Sequence, residues 1–100
     1  MGGMNLSTGQ KQTLIAIYEA EKPCRDKGQV PVLRPGDIAN RLAKVLDEKP
    51  ESKEVSEFVL SLDNEGFVAG LAMPESGHPF RWFNGLTPLG RAEAVFVLEG

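Results

Sequence analysis

Cys24 and His78 are the one cysteine and the one histidine of this 100-residue chain. A thiol beside an imidazole can act as a nucleophile–base pair. Here the two lie far apart in sequence, and no third group is spaced to orient them. Nor can one thiol and one imidazole fill a zinc site alone. No carboxylate pair, metal set or phosphate-cradling loop has a recognisable spacing. The sequence therefore reads as a non-enzyme with no metal and no cofactor. A lone cysteine makes no internal disulfide, which points to a reducing, cytoplasmic location.

The remaining chemistry lies in the charges. Net charge is −3, with hydrophobic residues at 41% and charged residues at 25%, the composition of an ordinary globular domain. The charges are unevenly spread. Between Arg25 and Lys49, six cations (Arg25, Lys27, Arg34, Arg41, Lys44, Lys49) face four acids. Between Pro50 and Gly66, Lys53 stands alone against Glu51, Glu54, Glu57, Asp63 and Glu65. One segment could meet phosphates, and the next would repel them. No apolar run reaches the length of a membrane span. The N-terminus has neither the basic nor the apolar region of a secretory signal.

One domain spans residues 1–100 on the size prior. Residues 1–6 are set aside as disordered or as an addition ahead of the natural start. A helix is expected from Asn5 to Lys22, capped by Ser7 or Thr8 and ended by Pro23. Leu14, Ile17 and Tyr18 would lie on its inner face. Residues 24–33 read as a connector with an edge strand at best, because Pro31 cannot donate to a ladder. Pro35 and Asp37 open a second helix. Ile38, Leu42 and Val45 or Leu46 form its stripe. Val55, Phe58, Val59 and Leu62 recur at i, i+3, i+4 and i+7, which predicts a third helix over 51–65. Gly66 suits its end. Residues 67–73 and 80–83 flank a Pro/Gly/Ser loop and read as a β-hairpin. Phe80 and Trp82 should alternate with Arg81 and Phe83 across its two faces. Thr87 and Pro88 start a last helix. Leu89, Ala92, Val95 and Phe96 would face its core, leaving Val97 and Leu98 as apolar surplus for a partner.

Three stretches in this order resemble the winged helix-turn-helix family, broadly the MarR- and PadR-like transcriptional regulators. They are Asp37-Ile38-Ala39-Asn40-Arg41-Leu42, Leu62-Asp63-Asn64-Glu65-Gly66-Phe67-Val68 and Leu86-Thr87-Pro88-Leu89-Gly90. The resemblance covers Ser7 to Leu98. It implies an α+β winged-helix domain, with three helices, a two- to three-stranded β-hairpin wing and a closing C-terminal helix. It also implies binding of double-stranded DNA, with helix 51–65 as recognition helix and loop 74–79 as wing. In helix-turn-helix proteins the N-terminal residues of the recognition helix reach the bases. Those would be Ser52, Lys53 and Ser56. Arg34, Arg41, Lys44 and Lys49 would hold the backbone, and His78 and Arg81 would act from the wing. A homodimer through the terminal helices is expected. The alternative is a winged-helix protein-interaction module without DNA, using Glu57 and Leu60 on the outer face of the acidic helix.

Overall fold

The computed structural model describes residues 6–77 and 79–100. Four helices make the domain: α1 (Thr8–Asp26), α2 (Pro35–Leu42), α3 (Ser52–Asn64) and α4 (Pro88–Glu99). Local chemistry sets most of their ends. Ser7 caps α1 by accepting the Gln10 N–H, and the Gln10 side chain accepts the Ser7 N–H in return, a reciprocal box that satisfies two orphan donors. At the start of α2 one half of such a box forms, the Asp37 Oδ2 accepting the Arg34 N–H at 2.8 Å. Thr87 caps α4 through the Gly90 N–H, and Pro88 occupies the first helical turn. After α3, Gly66 takes φ +82 and lets the Phe67 N–H return to the Leu62 carbonyl at 3.1 Å.

α1 does not stop at Pro23. It runs one turn further, to Asp26, although proline supplies no N–H for the Glu19 carbonyl. Side-chain contacts within α1, and one that leaves it, hold the extra turn. The Arg25 guanidinium pairs with Glu21, donates to the Tyr18 carbonyl at 3.2 Å and stacks 4.4 Å from the Tyr18 ring centre. Glu21 itself is buried and anchored at its other oxygen by the Leu86 N–H, at 2.7 Å. Local proline chemistry loses here to a buried carboxylate of α1 that ties the helix to Leu86.

The expected α+β class is corrected: among the described residues no strand forms, and the chain is all-α with no β-hairpin wing. Segments 67–73 and 80–86 do run back along each other. They touch as isolated bridges, Val68 with Leu86 and Ala72 with Trp82, and Leu33 makes a third with Phe83. Two features stop these contacts from growing into a ladder. Gly70 and Gly85 sit at φ +67 and +82, outside the extended region that a strand requires. Ala69 and Ala72 each face two residues of the opposite run. Ala69 donates to Gly85 and accepts from Asn84, while Ala72 donates to Trp82 and accepts from Arg81. Residues 74–77 close in a turn, with the Gly77 N–H on the Pro74 carbonyl.

These irregularities also change which aromatics are buried. Phe80 and Phe83 both point inward, their rings edge to face at 5.2 Å, and Trp82 is left 42% exposed. Strict alternation fails because the doubled position at 81–82 shifts the side-chain phase. The core gathers Leu14, Ile17, Ile38, Leu42, Val55, Val59, Leu62, Phe67, Phe80 and Phe83 from all parts of the chain. Leu6 joins it, while residues 1–5 lie outside the described ones. Leu46, and not the exposed Val45, continues the α2 stripe toward the core. α4 turns the opposite way from the expected one. Gly90, Glu93 and Ala94 are its buried residues, and Leu89, Ala92 and Phe96 face out. No described helix is long and apolar enough to cross a membrane.

Candidate nucleic-acid interface

The surface offered to a polyanion begins at α2. Ile38, Ala39 and Leu42 are buried. A helix that buries this stripe must turn positions 37, 40 and 41 outward. Asp37, Asn40 and Arg41, with Lys44 from the turn that follows, line a concavity of about 390 Å³ together with Ala20, Val32 and Leu33. Arg34 is exposed at the helix N-cap. Lys49 is exposed in the connection to α3. Arg41 is half-buried and Lys44 exposed, both accessible from this concavity. The sequence reading missed Asn40 and Val32, which carry no spacing signal of their own.

The first turns of α3 behave differently. Ser52 and Lys53 are exposed. Lys53 shares an open concavity of about 350 Å³ with Glu51, Glu54 and Glu57, so the local field there is acidic. Ser56 does not reach solvent at all: it is 0% exposed, and its hydroxyl accepts the Phe80 N–H at 2.9 Å. The serine expected to meet DNA instead ties α3 to the 80–86 segment. Position 56 follows the buried Val55, and a small polar residue fits there because the Phe80 N–H needs a partner. Glu57 is exposed and Leu60 half-buried. Phe58 is half-buried against α1, with its ring over Gly9.

Arg81 is exposed beside Trp82 and lines neither concavity. His78 lies outside the described residues. The structure therefore gathers Arg41 with Lys44, sets Lys53 among three glutamates and removes Ser56 from the surface.

Both ion pairs among the described residues belong to Glu21, which meets Arg25 and, at 4.0 Å, Arg91. The side chains of Arg34, Arg41, Lys44, Lys49, Lys53 and Arg81 make no ion pair with any described residue. No group of three or more potential metal ligands occurs among the described residues. No family model, characterised protein or solved structure matches the chain.

Proposed function

We propose that this protein binds double-stranded DNA as a helix-turn-helix transcriptional regulator in the cytoplasm. The α2–α3 pair meets the duplex. Arg34, Arg41, Lys44 and Lys49 hold phosphates, and Ser52 and Lys53 in the first turn of α3 lie toward the groove. The observation that carries this reading is that these cations are solvent-accessible and unpaired. Such cations release condensed counterions when they meet phosphates, which is the main source of non-specific affinity. Ser56 has no part in it, and residues 74–79 are given none. Two copies pair through α4, whose outward residues Leu89, Ala92 and Phe96 form an apolar stripe at i, i+3 and i+7.

The test is a fluorescence-anisotropy titration with a short duplex at several salt concentrations. Affinity should fall with salt with a log–log slope of about −3 to −4, as expected for roughly four phosphate contacts. The double variant R41Q/K44Q should flatten that slope by about 2. Absence of binding at low salt would reject the proposal.

One observation favours a second reading, a protein-interaction module with no DNA contact. Glu51, Glu54 and Glu57 surround Lys53, and this acidic face suits a basic protein partner better than a phosphate backbone. A stable complex lost in E57K and in a variant at Leu60, with no duplex binding, would establish it.

A further inference from the structure

The concavity between residues 32–33 and the outer wall of α2 has a chemistry that a phosphate backbone alone does not use. Part of its lining is apolar: Leu33 is buried, Ala20 half-buried and Val32 56% exposed. The rest is polar, with Asn40, Arg41 and Lys44 from α2 and the turn after it. Neither Arg41 nor Lys44 has an ion pair among the described residues. Asp37 lines the same concavity, but one of its oxygens is engaged by the Arg34 N–H. Two unpaired cations and one occupied carboxylate leave the site net positive. The groove is open, with a volume of about 390 Å³.

We infer that this concavity binds a small organic anion with a flat apolar body. The carboxylate of such a ligand meets the guanidinium fork of Arg41, which accepts planar anions in a bidentate manner. Lys44 supplies a second charge, and the Asn40 amide can donate to the remaining oxygen. The ring covers Val32 and Leu33 and takes the exposed valine surface out of water. A phosphodiester has no group to place on that side. Binding itself is independent of the DNA reading. Its consequence rests on that reading, since the ligand occupies the two cations proposed to hold phosphates.

The test uses 2-naphthoate titrated into the 15N-labelled full chain. Amide shifts should concentrate at Ala20, Val32, Leu33 and residues 40–44, with a Kd of about 1 mM or tighter. The neutral isostere 2-naphthamide and the ringless anion acetate should each bind at least about tenfold more weakly, the first for lack of charge and the second for lack of apolar area. R41Q/K44Q should abolish the shifts. Val32→Ser, at an exposed position, should weaken binding with no loss of fold. Equal binding of naphthoate and naphthamide, shifts scattered over the surface, or none at all would overturn the inference. A chain that binds naphthoate but no duplex keeps this site and loses the DNA reading; the converse result does the opposite.

Discussion

The Leu86 N–H donates to the Glu21 carboxylate at 2.7 Å, across 65 positions of sequence. The ring then closes through Arg91. Its guanidinium donates to the Leu86 carbonyl at 3.2 Å and lies 4.0 Å from the second Glu21 oxygen. One backbone unit is thus held on both sides, by an acid from α1 and a base from α4. Glu21 is 1% exposed. A carboxylate so deeply placed is tolerable because it is both paired and hydrogen-bonded. Arg25 completes its shell from the next turn of α1.

Glu21→Ala should be among the most damaging substitutions in the chain. It leaves the Leu86 N–H without its partner and two guanidinium groups without their acid. The expected loss is about 2–4 kcal/mol, read as a lower urea midpoint at unchanged slope. Glu21→Gln keeps one acceptor oxygen and should cost about half as much. Equal losses for the two would show that the charge, and not the hydrogen bond, holds Leu86.

Ser56→Ala separates structure from recognition. The Phe80 N–H is left with no hydroxyl, so stability should fall by about 1–3 kcal/mol. Duplex affinity measured well below the unfolding transition should not change. Lys49→Gln, at an exposed position, should do the reverse, sparing stability and reducing the salt slope by about 1. A Ser56→Ala protein that is fully stable but weak on DNA would contradict the buried position.

Two helical glycines predict opposite signs. At Gly90 a methyl group would run into the Phe67 backbone, with its Cα and carbonyl carbon at 3.0 Å. Gly90→Ala should therefore destabilise by about 2 kcal/mol, in the range of overpacking. At Gly36, in the first turn of α2, nothing lies within 4 Å. Gly36→Ala should stabilise by about 0.4–1 kcal/mol, because the unfolded chain loses freedom and the folded one loses nothing. Thermal midpoints of the two variants beside the parent chain check both signs.

The outward face of α4 offers a test of self-association. Leu89 and Phe96 are each about half exposed, at 55% and 51%. Phe96→Glu should leave stability within about 0.5 kcal/mol, as for other surface changes. It should also shift the sedimentation coefficient from dimer to monomer. A parent chain that sediments as a monomer throughout the concentration range would rule the pairing out.

Helix starts were legible because their chemistry is local. Ser7 with Gln10, Thr87 with Pro88, and Gly66 each act over a few residues. The α3 stripe was legible for the same reason, since Val55, Val59 and Leu62 are all fully buried. What could not be read depended on distant partners. Pro23 signals an end to α1, and the contacts of Arg25 with Tyr18 and Glu21, with Glu21 docked on Leu86, override it. Gly70 and Gly85 look like tolerable glycines in short strands until Asn84 and Pro31 are placed against them. Ser56 reads as a surface serine because nothing nearby in sequence reveals the Phe80 N–H. In α4 the apolar residues outnumber one stripe, so no period distinguishes the inner face from the outer. At the candidate interface, the outward position of Arg41 is legible because α2 has a clear buried stripe. Its apolar counterpart, Val32, comes from a different segment.

The turn of α1 beyond Pro23 has a lifetime set by the far end of the chain. Its own helix lacks one hydrogen-bond donor there, and Arg25 bridges back to Tyr18 and Glu21. Part of its grip therefore comes, through Glu21, from Leu86 and Arg91. Amide hydrogen exchange at Cys24, Arg25 and Asp26 should accordingly follow the opening of α4 and not the fraying of α1. The two ends of the sequence then belong to one cooperative unit.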